Sequence, residues 1–453
     1  MQTARQVAAA PVRSARRADD RTGVRQWSIG VARDERARAI VVAIFLSLVF
    51  RNTMAAPIRA YAAPLWYVPD LFVLIGFGAL TYVGARERVI PWLVFTGLFV
   101  LLIVYGVVNN PPLDVLMQGR QVAYVVLAAF AGIGVRHGNQ LLARAIVVAA
   151  AVAIIGIYWD NFFKVPWSGA AFEGALRTAG VARDWSANGV RRLSGFGLAS
   201  GDTSILISAG AIAMCGLTRN RLTIVSAIFA ALAVHTVLLT TQKATAGWLM
   251  ITLFAAFVTP LINFKREGFA SAKFLRVLGM SGLIGCILVP ILFSGVRFSE
   301  LLSVQAPTLD QRMNDVWPVA MSYLLRFPQA LLGYGLGAIG EVARVDDLVM
   351  IDNMFLFTAL LVGIPLALLL FGFTLYAFWT AAIRDAVDYT ALALATLLVL
   401  NGITANIIAS GGVGSMFLGM SFGLLLRPTR RSAPARQRSR RSRGEASAMA
   451  EPR

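Results

Sequence analysis

The chain has 453 residues, 57% of them hydrophobic and only 14% charged, with a mean hydropathy of +0.69 and a formal net charge of +19. A soluble domain carries about 25% charged residues, so an ordinary soluble globular protein is excluded. The apolar runs are about 20 residues long, the length of a bilayer-crossing helix, and lack the short alternation of a membrane β-barrel. The expected fold class is an all-α polytopic membrane protein.

The chain opens with a polar arm, residues 1–37, rich in arginine from Arg5 onward and without apolar periodicity. Such a segment buries too little apolar surface to fold, and disorder is expected. The tail, residues 427–453, has the same character from Arg427 to Arg453. Basic flanks beside membrane spans fix topology and touch anionic lipid, which is preferred here to nucleic-acid binding. No cleavable signal peptide is visible. The first apolar run starts near Ala39, behind the arm, and reads as a retained anchor.

Apolar runs near residues 38–56, 66–84, 90–109, 115–135, 141–160, 200–217, 221–240, 245–263, 276–296, 351–380, 390–408 and 411–426 predict about twelve spans within a membrane domain of residues 38–426. Arg51 interrupts the first, and the last is short. With the N-terminus in the cytoplasm, Arg86, Arg88, Arg136, Arg219, Arg221, Lys265, Arg266, Lys273 and Arg384 fall in cytoplasmic loops, as does the tail. Two large loops, near 160–199 and 297–350, then face outward. They carry Lys164, Arg177, Arg183, Arg191, Arg192, Arg297, Arg312, Arg326 and Arg344, against the orientation rule. Either these cations meet an anionic ligand, or they pair locally with acids such as Asp184, Asp310, Asp315, Asp346 and Asp347.

Cys215 and Cys286 fall inside predicted spans and read as small buried apolar residues rather than a disulfide. Neither cysteine spacing nor histidine clustering suggests a metal site, and no cofactor is expected.

Four polar stretches stand out, in chain order. Asn188–Ser204, NGVRRLSGFGLASGDTS, sets Arg191 and Arg192 ahead of a helix start. Guanidinium forks suit phosphate oxygens and helix-start N–H groups bind anions; anchoring to lipid headgroups is the competing reading. Leu238–Trp248, LLTTQKATAGW, is a short turn with Lys243 at its tip, where a lone lysine ordinarily snorkels to the interface. His235, one turn below, is more often a packing residue than a proton shuttle.

Thr308–Gly340, TLDQRMNDVWPVAMSYLLRFPQALLGYGLGAIG, is too long for a plain connector. An amphipathic helix is expected from Arg312 to Leu325, with Pro318 in a first turn or at a kink and Arg312 spaced to pair with Asp315. The Gly-x-Gly beyond Arg326 is a weak phosphate signature, and the whole is expected to lie flat on the outer surface as part of a lid. Finally, Val349–Phe371 opens a long span with Asp352 and Asn353, ordinary N-cap residues.

Together, over roughly Arg191 to Phe371, these stretches resemble the bacterial polysaccharide polymerase and O-antigen ligase superfamily. That family has an Arg followed by small residues in the first large periplasmic loop, and a Thr/Ser-Arg-Gly-like turn after the next helix pair. It then has Arg-x4-Trp leading to Pro-x4-Gly-x-Gly, and a His/Asp-Asn start to the following span. The matching positions are Arg191 or Arg192, the Lys243 turn, Arg312 with Trp317, Pro328 with Gly333 and Gly335, and Asp352-Asn353. Two departures matter. Lys243 stands where ligases carry Arg, losing the bidentate fork. The second large loop has no histidine, and Asp352 holds the place of the ligase His. The second departure points from ligase toward polymerase.

The resemblance implies joining of undecaprenyl-diphosphate-linked repeat units into exopolysaccharide, capsule or O-antigen at the periplasmic face of the inner membrane. It implies a metal-independent glycosyltransferase, with Arg312 and Asp352 catalytic and Arg191, Arg192, Lys243 and Arg326 on the diphosphate. A flippase and a chain-length regulator are the implied partners. The alternatives are an O-antigen ligase acting on lipid A-core, a lipid-linked oligosaccharide flippase or exporter, and a non-enzymatic scaffold. No convincing internal repeat of the kind found in transporters is present.

Overall fold

The computed structural model describes residues 35–86, 90–135, 140–173, 178–182, 185–187, 190–218, 223–262, 271–297, 307–340, 351–383, 385–408 and 412–426. Residues 1–34 of the N-terminal arm and the whole tail, together with Arg177, Arg183, Asp184, Arg344, Asp346 and Asp347, lie outside the described residues, and the last three residues of the arm are already helical.

The chain is mostly helical. Helix α1 (Glu35–Thr53) meets α2 (Ala55–Tyr61) at a bend of 77°. After a 3-10 turn at Ala63–Trp66 come α3 (Val68–Arg86), α4 (Ile90–Asn109), α5 (Pro112–Gly134) and α6 (Leu141–Phe162). Two small antiparallel ribbons follow, β1 (Ala171–Glu173) with β2 (Thr178–Gly180) and β3 (Trp185–Ala187) with β4 (Val190–Arg192). Next are α7 (Ser200–Leu217), α8 (Ile224–Leu239), α9 (Lys243–Ile262) and α10 (Ala272–Phe293). The 308–340 region holds α11 (Pro307–Gln311), a π-helical turn (Arg312–Val316), α12 (Trp317–Leu324) and α13 (Gln329–Leu332). Helices α14 (Met354–Val362), α15 (Ile364–Thr380), α16 (Ala386–Gly402) and α17 (Val413–Leu426) complete the chain.

Among the described residues, five helices are long and apolar enough to cross a membrane: Ala63–Tyr82, Pro112–Ile133, Leu141–Phe162, Ser200–Leu217 and Ala272–Phe293. The α1–α2 pair passes as one bent span, and six shorter apolar helices of 10–17 residues accompany them. Where sequence reading expects one straight span over 351–380, the structure has two helices. Gly363, at φ +84°, breaks them against the backbone of Leu331, and Pro365 follows.

The bundle is organised around α16, buried from Val387 to Gly402 and packed against α7, α9, α10 and α17. The closest helix pair is α5 with α17. Gly419 and Gly423, four residues apart, sit against the carbonyls of Val125 and Ala129, and Gly132 sits against that of Met420. Lipid tails give apolar side chains no preference for one another, so such small-residue seams let backbones gain contact that bulkier residues forbid. A second apolar cluster forms outside this bundle, with Ala55, Ala56, Trp66, Val165, Trp167, Phe172 and Val181 at its centre. It ties the 163–199 region to the α1–α2 elbow, and the Ala56 amide donates to Phe196 O at 2.9 Å.

The Gly-rich end of the 308–340 region does not lie flat as a surface lid. Leu336 and Ile339 are fully buried, and Gly333, Gly335 and Gly337 have positive φ. A Cβ on Gly333 would meet the backbone of Leu361, one on Gly335 the Tyr105 ring, and one on Gly337 the Val115 backbone. Gly335 N donates to Leu361 O (3.1 Å), and Gly337 N donates to Gln118 Oε1 (2.5 Å). These N–H groups are engaged by protein acceptors, so the Gly-x-Gly is a docking motif and not a phosphate cradle.

Candidate functional site

Arg312 begins the π turn. Pro318, in the first turn of α12, lacks the N–H that would continue the ladder, and the Trp317 amide reaches back to Arg312 O. The irregular turn also leaves Met313 O to accept from Gly295 N at 2.8 Å, which fastens this segment to the end of α10. Such turns recur at functional sites. Arg312 Nε donates to Asp352 Oδ2 at 3.0 Å, across 40 residues of sequence. The expected i,i+3 pairing with Asp315 does not form; the carboxylate delivered by the start of the α14 region takes Arg312 instead. The bond uses Nε, so both Nη atoms and Asp352 Oδ1 are without partners among the described residues. The pair is partly open, with side chains 27% and 39% exposed.

Asn353, and not Asp352, caps α14: its Oδ1 accepts from Leu356 N at 2.9 Å. Its Nδ2 donates to Cys286 O (3.1 Å) and Ile403 O (3.0 Å), joining α10 and the end of α16. Two residues before Ile403, Asn401 Oδ1 accepts from Thr245 Oγ1 at 2.8 Å, which brings in the first turn of α9. Lys243 is the first residue of α9 and exposed, with no carboxylate partner among the described residues. Beside it, Gln242 Nε2 donates to Ser200 Oγ (3.2 Å), the first residue of α7. Polar contacts thus run from Arg312 through Asp352-Asn353, Asn401 and the Lys243 turn to the start of α7. Four sequence-distant helix ends share one end of the bundle.

The turn bearing Lys243 is strained. Thr241 sits at φ +62°, and its buried hydroxyl has no hydrogen-bond partner among the described residues. A β-branched residue in the left-handed region is a true outlier, and such strain clusters at functional sites.

Arg191 and Arg192 are separated by strand alternation, which sends neighbours to opposite faces. Arg191 Nη2 pairs with the buried Asp160 Oδ1 at 3.0 Å, and Asp160 Oδ2 also takes Gly195 N at 3.2 Å, so this arginine anchors β4 to the end of α6. Arg192 has no side-chain partner among the described residues. Arg326 is not joined to this network: it stacks on the Tyr323 ring at 4.1 Å. Burial pushes the neighbouring Tyr334 phenol up from its ordinary value, against the pull of Arg326, and that phenol donates to Tyr323 O at 3.1 Å. His235 stacks on Tyr158 and shares a 2.7 Å hydrogen bond through Nδ1, a packing role. Cys215 and Cys286 are buried free thiols. Among the described residues no group of three or more His, Cys, Asp or Glu is placed to hold a metal ion.

One cluster was not legible as a unit in the sequence. Arg51, 2% exposed, donates through Nη1 to Asp70 Oδ1 (2.8 Å) and through Nη2 to the Tyr124 hydroxyl (2.9 Å). Arg120 Nη1 takes the other carboxylate oxygen at 3.1 Å, and the Tyr124 hydroxyl donates to Asp70 Oδ1. The only available signal was a set of ionisable residues in otherwise apolar runs. No protein-family model matches this chain, and no curated protein matches it either.

Proposed function

We propose that the protein is a membrane polymerase that joins lipid-diphosphate-linked oligosaccharide repeat units on the periplasmic side of the bacterial inner membrane. The observation that carries the reading is the contact chain between the Arg312–Asp352 pair, the Lys243 turn and the start of α7, which gathers residues of all four resembling stretches at one end of the bundle. In this reading the six shorter apolar helices also span, giving twelve crossings with both termini in the cytoplasm and the 163–199 and 294–353 regions outside.

A hydroxyl of the acceptor unit attacks the anomeric carbon of the donor sugar. The bond to the diphosphate breaks, and the diphosphate departs with the bonding electrons. Arg312 Nη groups, Arg192 and Lys243 stabilise that developing charge, and fixed cations in a site of low dielectric are the strongest lever for doing so. Asp352 Oδ2 orients Arg312, and its Oδ1 accepts the hydroxyl proton. Arg191, paired with Asp160, holds the ribbon. Arg326 belongs to the rim. A flippase would supply the repeat units and a chain-length regulator would set their number.

The test is the glycan made by a deletion strain rescued with wild-type or Arg312→Ala protein at matched membrane abundance. Single repeat units from the mutant and long polymer from the wild type are expected. Long polymer from the mutant removes Arg312 from the mechanism. Intact but unattached polymer in the deletion strain itself makes the protein a ligase.

A further inference from the structure

The Arg51–Asp70–Arg120–Tyr124 cluster is built around one carboxylate and two guanidinium groups. Asp70 is fully engaged: Oδ1 takes Arg51 and Tyr124, and Oδ2 takes Arg120. One positive charge is left over. Arg51 Nε and Arg120 Nε are both buried and without partners among the described residues. Arg51 lies over the Trp66 indole at 4.7 Å, and Arg59 stacks on the same ring at 4.2 Å. Burying net positive charge among apolar helices is costly unless an anion completes it. Arg120 and Asp70 are 24% and 18% exposed, so the cluster is open on the Arg120 side.

Its position is informative. Asn52, next to Arg51, packs against Gly412, and the Ile403 carbonyl at the other end of that loop receives Asn353 Nδ2. Ile403, which Asn353 contacts, and Gly412, which Asn52 contacts, are nine residues apart in the chain and so at most ~30 Å apart.

We propose that this cluster is a second phosphate-class anion site, holding the diphosphate of the acceptor while Arg312 and its neighbours hold that of the donor. The inference rests on the polymerase reading. The acceptor hydroxyl lies at the far end of a repeat unit from its own diphosphate, so the two diphosphates bind a repeat-unit length apart.

The experiment is calorimetric titration of the full-length protein in neutral phosphatidylcholine nanodiscs with farnesyl diphosphate as probe. Wild type is expected to bind two equivalents. Arg120→Gln weakens one of them about tenfold or more and spares the other, and Arg312→Gln does the converse. Arg120→Lys, which keeps the charge and loses the fork, falls between, and replaces Arg120→Gln if that variant does not fold. If Arg120 substitutions leave both equivalents intact, the inference fails and the polymerase reading stands. If Arg312→Gln alone has no effect, the donor site fails and the anion site stands. If phosphatidylglycerol in the nanodisc abolishes the Arg120-dependent equivalent, the occupant is a bilayer headgroup and the acceptor assignment is overturned.

Discussion

Single residues decide how the outer cations differ. Arg191 and Arg192 are adjacent in sequence, yet among the described residues one meets a buried carboxylate and the other meets none. Sequence reading finds both and cannot separate them, because the sorting comes from the β3–β4 register and from Asp160, which reads as one more residue at the end of a span. Arg312 and Asp352 are likewise visible in sequence, but their partnership is not, since Asp315 is the nearer candidate. Asp70, though an ionisable residue in an apolar run, stood out little because an acid in a helix first turn is ordinary. Thr241 was invisible for a different reason: a threonine at φ +62° is chosen by the tertiary structure against its own preference. Thr241→Gly should therefore raise the Tm of the detergent-solubilised protein. Strain of about 1–3 kcal/mol is relieved, and the added chain entropy costs about 0.5–1 kcal/mol. A lower Tm would show that the turn is relaxed as it stands.

Among the elements, apolar runs reveal where helices lie and not how they bend. The break at Gly363 and the elbow after Thr53 come from close backbone approach and from buried side chains, neither of which hydropathy records. The Gly-x3-Gly of α17 illustrates the same limit. It sits in the shortest of the apolar runs, yet it forms the tightest helix contact in the bundle. Gly423→Ala places a methyl group into the Ala129 carbonyl and should destabilise by about 1–3 kcal/mol, the usual cost of overpacking. Gly78→Ala, where a Cβ meets nothing within 4 Å, should be neutral or stabilising by up to about 1 kcal/mol. Paired thermal melts of the two variants check this, and equal shifts would dissolve the assigned role of the α5–α17 seam.

At the scale of the whole molecule, the proposed orientation rests on the charge pattern of the loops. The second apolar cluster, around Trp66, Trp167 and Phe172, adds a cap on the same side as the α1–α2 elbow. A cysteine introduced at exposed Gly169 should react with a membrane-impermeant maleimide added to intact spheroplasts, and one introduced at exposed Lys273 only after lysis. Native Cys215 and Cys286 are buried and give little background. Labelling in the reverse order would invert the topology and place the candidate site in the cytoplasm. The sequence carried the helical class and most helix positions, because about 20 apolar residues have few alternatives in a bilayer. It did not carry the convergence of helix ends, which depends on single amide and hydroxyl contacts such as Asn353 with Ile403 and Thr245 with Asn401.

The broken helix at Gly363 has a mechanical side. The Tyr334 and Gly335 amides donate to the carbonyls of Leu360 and Leu361, which the break would otherwise leave open. Lifting the Gly-rich segment strands those carbonyls in an apolar setting at several kcal/mol each. The 308–340 region is therefore a beam, clamped at its glycine end and pinned through Met313 to the end of α10. A beam held at two points does not swing open to admit a ligand from above. Any ligand that reaches the Arg312–Asp352 pair therefore comes in beside the beam rather than beneath it, and the exposed Leu325–Pro328 corner is the part of the beam left free between the two fixings.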